Sequence, residues 1–263
     1  MSPTAALKSK PPAIKDQVSA EEWDLRVDLA AAYRLVAHYG WDDLVFTHLS
    51  ARVPGPEHHF LINPYGMMFE EIAASSLVKI DLDGNIVLPT GYPINHAGFV
   101  IHSAIHAARE DAQCVIHLHT RAGIAVSCQK QGLLPINQTA MAIASRLGYH
   151  DYEGIALELD EQPRLVADLG DKPALMLRNH GTLTVGENIG EAFVRMHTLE
   201  RACEIQVAAL AGGQEINWPS EQAQKAVQEQ TRSGPDSNMP SMSELAWPAL
   251  LRKLDRMDPS FRD

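Results

Sequence analysis

A chain of 263 residues with 45% hydrophobic content can bury a substantial core, as one large domain or at most two. Its formal charge of −11 (22 basic against 33 acidic residues) argues against nucleic acid or an anionic membrane surface as the main partner. No run of about 18 apolar residues is present, which excludes a membrane-spanning helix. The Lys- and Pro-containing N-terminus lacks the apolar stretch of a secretory signal. Cys114, Cys128 and Cys203 are odd in number and lack metal-ligand spacing, so buried thiols in a reducing cytoplasm are expected. A small-molecule substrate or another protein is left as partner.

Residues 1–18 read as a flexible head. Ser19 followed by Glu22 is a capping box, and Trp23, Val27, Ala30, Tyr33 and Val36 mark an apolar stripe ended by Gly40, which predicts a helix over 20–39. From Val45 to Val87, β-rich pieces such as Phe60-Leu61-Ile62 and Val78-Lys79-Ile80 are broken by turn signals, among them Asp83-Gly84-Asn85, which predicts a hairpin. A helix capped by Asn95 is expected to run to Arg109, followed by the strand Cys114-Val115-Ile116-His117-Leu118-His119 and a helix from Arg121. Gly154–Glu158 and Pro173–Asn179 read as further strands. Asn188 and Glu191 predict a cap for a long helix ended by Gly212-Gly213. Residues 19–212 thus read as one α/β domain, 213–242 as a polar helix and linker, and 243–263 as an amphipathic tail. Ser243 is its expected cap, and Leu245, Leu250, Leu251, Leu254 and Met257 form its stripe. That stripe requires a surface to pack on, either its own domain or a neighbouring subunit.

Chemistry concentrates in the histidines. Successive strand side chains point to opposite faces, so His117 and His119 project from one face and can converge on one ion. His180, in Asn179-His180-Gly181 at the end of the apolar run from Ala174, is the third candidate, its glycine allowing a sharp turn beside a site. Three neutral imidazoles with an open position describe a catalytic divalent-metal site better than a structural one, although imidazole suits Zn, Fe, Ni and Cu alike. His102 and His106 share a helix face and offer a weaker metal pair. His197 reads as a core residue or one that orients His180, Glu70 and Glu71 as a solvated helix start, and His58 and His59 as loop.

His117-Leu118-His119, Asn179-His180-Gly181, Asn63-Pro64-Tyr65-Gly66 and the run Ala73-Ala74-Ser75-Ser76-Leu77-Val78-Lys79-Ile80 resemble the class II aldolase/adducin family over roughly residues 20–212. Asn95-His96-Ala97-Gly98-Phe99-Val100-Ile101-His102 and His150-Asp151-Tyr152-Glu153-Gly154-Ile155 are most similar to the adducin head domain and its bacterial relatives. The resemblance implies a three-layer α/β/α sandwich around a mixed, largely antiparallel sheet. It also implies a homo-oligomer, a homotetramer before a dimer, and a divalent metal (Zn2+ first, Mn2+ or Fe2+ as alternatives) on His117, His119 and His180.

Two departures shape the functional expectation. The family's catalytic Glu or Asp falls on Gly98, and a glycine transfers no proton. The phosphate cradle falls on Thr47, His48, Tyr65, His96 and Ala97, with Gly66 kept, which argues against a phosphorylated sugar. The expected activity is therefore a metal-dependent carbon–carbon lyase, an aldolase or decarboxylase, on a small non-phosphorylated carbonyl or hydroxy acid. His96 and Tyr65 are the catalytic candidates and Thr47, His48, Asn63 and Gly66 the substrate-binding ones. An epimerase or iron oxygenase on the same frame, or a non-catalytic adducin-like scaffold, are the alternatives. No tyrosine follows Tyr152, so a tail that closes a site must do so with Trp247, Arg252 or Arg256.

Overall fold

A computed structural model of the protein describes residues 13–154, 159–232 and 240–263. Seven strands form one sheet: β1 (His48–Arg52), β2 (Phe60–Ile62), β3 (Val78–Ile80), β4 (Cys114–Leu118), β5 (Leu147–His150), β6 (Ala174–Leu177) and β7 (Gly181–Gly186). Their order is β3-β2-β1-β4-β7-β6-β5, and only β5 and β6 run parallel. The sheet is thus mixed and largely antiparallel, as the resemblance implied.

Strand alternation sorts side chains to two covering layers. On one face Leu49, Ala51, Leu61, Ile116 and Leu118 pack against α1 (Ala20–His38), α6 (Ile189–Ala211) and α8 (Met242–Met257). On the same face, Ala174 and Met176 meet α3 (Arg121–Ser127), α4 (Gln138–Ala144) and α6. On the other face Val115, Leu175, Leu177, Leu183 and Val185 meet α2 (His96–Ala108) and α5 (Gln162–Leu169). The remaining helix, α7 (Glu221–Arg232), lies against α4.

Local chemistry explains most element ends. Ser19 accepts from the Glu22 amide at 3.1 Å and Asn188 from that of Glu191 at 2.9 Å, as expected of N-caps. Glu22 does not reach back to complete a box. Its carboxylate is taken by the buried Arg26 at 3.0 Å and by Lys79 at 2.7 Å, a tertiary pairing that outcompetes the local one. The expected Asp83 hairpin is reduced: Asp81 gathers the turn through the Asp83 and Asn85 amides, and the return strand shrinks to one bridge, Ile80 to Ile86.

The tail corrects its expected cap. Ser241, not Ser243, caps α8, because Glu244 stands three residues after it and bonds back to the Ser241 amide at 2.6 Å. Trp247, Leu254 and Phe261 bury the tail against its own domain, and the Phe261 carbonyl accepts from the Ala74 amide at 3.0 Å. The flexible head is corrected in part, since Ile14–Gln17 form a 3-10 turn; residues 1–12 lie outside the described residues, as do 155–158 of the expected Gly154 strand. Cys114 and Cys203 are buried, but Cys128 is exposed where it ends α3.

The opening between β1 and β2 is set by a single phenol. Tyr33 on α1 accepts from the amides of Leu49 at 2.8 Å and Asn63 at 3.1 Å, and its proton reaches the Leu49 carbonyl or Asn63 Oδ1 at 2.5 and 2.9 Å. The ring is fully buried, so removing its oxygen leaves buried amides without partners. Tyr33→Phe is expected to lower stability by about 1–3 kcal/mol in urea denaturation with an unchanged m value; an unchanged midpoint would show the hub to be dispensable.

Candidate metal centre

His117 lies on β4, His119 just past its end, and His180 in the turn between β6 and β7. Their rings form a near-equilateral triangle, with centroids 4.8 Å (His117–His119), 4.7 Å (His117–His180) and 4.8 Å (His119–His180) apart. One nitrogen from each lies within 4.8 Å of the others, the only such group of three metal-binding side chains among the described residues. The turn that delivers His180 differs from its expected form. Asn179 supplies the left-handed residue (φ 59°), whereas Gly181 is needed for closeness, since a Cβ there would stand 2.4 Å from the Leu118 carbonyl oxygen.

The hydrogen bonds fix which nitrogens face inward. His117 Nδ1 lies 3.0 Å from the Thr182 carbonyl oxygen and His119 Nδ1 lies 3.2 Å from Asp43 Oδ2. Both partners only accept, so both Nδ1 atoms carry the proton and both Nε2 atoms present lone pairs. Those Nε2 atoms stand 3.0 Å apart. Two facing lone pairs repel unless a cation lies between them, and nitrogens sharing a tetrahedral zinc are about 3.3 Å apart at the usual bond length. Burial depresses all three imidazoles, His180 to about 4, which keeps them neutral and competent as ligands. The donor set therefore fits a divalent metal with an open position.

Access is from two sides. An open cavity of about 770 Å³ lies beside His119, lined by Tyr39, Trp41, Asp43, Thr120 and Glu200. A narrower recess with Tyr152 and Arg178 reaches His180, with Tyr152 and His180 ring centroids 6.4 Å apart. Thr120 caps α3 directly after His119 and donates to Glu200 at 2.5 Å, while burial raises that carboxyl to about 7.

The polar residues expected around the metal separate into two groups. His48, Thr47 and Asn63 are buried. Thr47 has a left-handed backbone (φ 67°), and its Oγ1 and the Asn63 Nδ2 have no partner in the structure. His48 pairs in register with His117, their rings 5.1 Å apart. His96 and Tyr65 are exposed, His96 with its ring 5.8 Å from Phe99 and Tyr65 with its amide bonded to the Pro93 carbonyl. Gly66 is held at φ 103° with open space where a side chain would be.

Gly98 has a physical cause. A Cβ there would lie 2.5 Å from His48 Cδ2 and 2.9 Å from His48 Nε2, so the His48 ring fills the volume that a side chain at position 98 would need. Gly98, His102 and His106 are spaced by one helical turn each on α2, and His48, Ser50 and Arg52 by two residues each on β1. The two stripes interlock as a buried polar ladder. His102 and His106 thus bind neither metal nor each other, and both bond to Ser50, at 2.5 and 2.7 Å. His197 does not orient His180; it packs among Tyr39 and Trp41, with centroids 5.9 and 5.7 Å away.

Asp43 was not apparent from the sequence, because it lies far along the chain from His119. Ser50 and His102 carried a legible signal, the matched strand and helix spacings.

Residues 27–207 match the family model of the class II aldolase and adducin N-terminal domain. A crystal structure of an aldolase II superfamily protein from Pseudomonas syringae superposes with a TM-score of 0.89 at 54% identity, covering 96% of this chain and 100% of that one. L-fuculose 1-phosphate aldolase from Glaciozyma antarctica superposes with a TM-score of 0.78 at 27% identity, covering 97% of each chain. Alpha-adducin of Rattus norvegicus is 44% identical over 89% of this chain, which spans 33% of that protein. This chain belongs to the class II aldolase and adducin family, and the proteins it is similar to include both an L-fuculose 1-phosphate aldolase and alpha-adducin.

Asp43→Ala is expected to weaken zinc binding about 10–100-fold, measured by chelator competition; undiminished affinity would contradict the role given to that carboxylate. The ladder predicts acid sensitivity. Burial lowers His106 to about 3, whereas an unfolded histidine titrates near about 6.5. Between those values the unfolded chain binds the extra proton, so stability is full above about pH 6.5 and falls as pH drops towards about 3. The urea midpoint should fall through this window and fall less steeply in His106→Gln; parallel profiles would contradict it.

Proposed function

We propose that this protein is a metal-dependent carbon–carbon lyase, an aldolase or decarboxylase, acting on a small non-phosphorylated carbonyl compound or hydroxy acid. The observation that carries the reading is the pair of inward Nε2 lone pairs 3.0 Å apart, a costly arrangement without a cation. His117, His119 and His180 would hold the ion, with Zn2+ favoured and Mn2+ or Fe2+ as alternatives. A divalent cation on neutral ligands supplies an electron sink for the enolate oxygen that develops when a carbon–carbon bond breaks.

The chain's own residues define the rest. Asp43 and the Thr182 carbonyl orient two of the three rings. Thr47 Oγ1 and Asn63 Nδ2, buried without partners, are suited to bind polar atoms of a ligand. His48 fills the space beside Gly98 and is a better candidate than the exposed His96 for contact with the substrate. His96, Tyr65 and Gly66 would serve the outer end of the pocket, where an imidazole and a phenol replace a phosphate nest. A homotetramer is the proposed assembly, on family grounds. Among the described residues no helix is long and apolar enough to cross a membrane.

A scaffold role is favoured by one observation, the 44% identity to alpha-adducin. Elemental analysis of protein purified without added metal separates the readings. About one zinc, manganese or iron per chain, lost in His117→Ala, is expected, together with cleavage or decarboxylation of a member of a hydroxy-acid and ketose panel. Absence of metal even after reconstitution would overturn the enzymatic reading.

A further inference from the structure

The ladder between β1 and α2 has a direction that hydrogen-bond chemistry fixes from its far end. His106 Nδ1 lies 2.9 Å from the Ala112 carbonyl oxygen, which can only accept, so the proton is on Nδ1 and His106 Nε2 is an acceptor. Ser50 Oγ lies 2.7 Å from that nitrogen and spends its single proton there. The same oxygen must then accept from His102 Nδ1, 2.5 Å away, which leaves His102 Nε2 bare. His48 Nδ1, 2.8 Å from His102 Nε2, must therefore be the donor of the last bond. His48, Ser50, His102 and His106 are all buried, which disfavours a second proton on any of the three rings. What remains at the end of the ladder is His48 Nε2 with a free lone pair. That edge of the ring lies over Gly98.

We propose that Ser50, His102 and His106 are positioning residues that lock His48 as the Nδ1–H tautomer, so that its Nε2 selects a ligand presenting a hydroxyl or other hydrogen-bond donor and disfavours one presenting a phosphate oxygen. A backbone carbonyl cannot donate, so the chain cannot reverse its polarity, and His48 can become an Nε2–H donor to an anion only by breaking a buried bond or by taking a second proton inside the buried ladder. Gly98 belongs to the same device, because any larger side chain would displace the ring from this edge. The inference deepens the substrate-binding role proposed for His48 and rests on that reading.

The test is nitrogen-detected tautomer analysis by two-bond proton–nitrogen NMR on 15N-histidine-labelled protein, metal-free and zinc-loaded, with zinc content measured on the same samples. The wild type is expected to show His48 protonated on Nδ1 and bare on Nε2 in both states. Ser50→Ala should mix the His48 tautomers, and Ser50→Thr, which keeps the hydroxyl, should restore the single form. A wild-type His48 protonated on Nε2, or a single Nδ1–H form that survives in Ser50→Ala, would overturn the proposal even if zinc binds. Failure to bind zinc would sink the metal reading but leave the metal-free tautomers to decide this one. Calorimetry of zinc-loaded protein with N-hydroxyglycolamide and with its phosphate monoester then reads the specificity. The hydroxyl compound is expected to bind roughly tenfold more tightly, the worth of about one hydrogen bond. Equal or tighter binding of the phosphate would overturn the selection.

Discussion

The two acceptors behind the candidate metal ligands are the constraint on which the site depends. The Thr182 carbonyl and the Asp43 carboxylate hold protons on the outer nitrogens of His117 and His119 and so turn both lone pairs inward to 3.0 Å. A protein that needed these rings only for packing would relieve the repulsion by rotating either one. Several features of the fold secure the arrangement instead: Asn179 in a left-handed turn, Gly181 against the Leu118 carbonyl, and Thr120 anchored to Glu200 directly after His119. Each immobilises the backbone beside a ligand, which is what a metal site requires of its outer partners.

Around this constraint the polar interior on the α2 face is the second organising element. Interior polar groups are costly unless they are satisfied. The ladder pairs Ser50 with the facing imidazoles by interleaving a strand stripe, His48, Ser50 and Arg52, with a helix stripe, Gly98, His102 and His106, and leaves Arg52 Nε without a partner. Arg52 closes it by donating to the His106 carbonyl. The glycine at position 98 is therefore coupled to the imidazole at position 48, and the two cannot be read separately.

What the sequence revealed follows the range of the interactions. His117 and His119 were legible because two-residue spacing in a β-branched run puts both on one face. The caps Ser19 and Asn188 were legible because their bonds span three residues. The three-layer sandwich came through the family resemblance, which also supported His180, already legible from the Asn-His-Gly turn at the end of an apolar run. Asp43 was invisible because it meets His119 only after the chain has folded. The Glu22 box failed for the same reason, a distant Lys79 and a buried Arg26 claiming its carboxylate. Ser243 was misread as a cap although Ser241 and Glu244 have the correct spacing. The role of Gly98 emerges only in the folded chain, since no local pattern says which ring fills the space a glycine leaves.

The most direct test of the central claim is anomalous scattering from crystals of the protein grown after zinc reconstitution, with data collected on both sides of the metal's absorption edge. The account predicts one strong peak per chain at bonding distance, about 2.0–2.1 Å, from His117 Nε2, His119 Nε2 and a nitrogen of His180. No peak within the triangle, or density showing the His117 and His119 rings turned so that their Nε2 atoms no longer face, would contradict it.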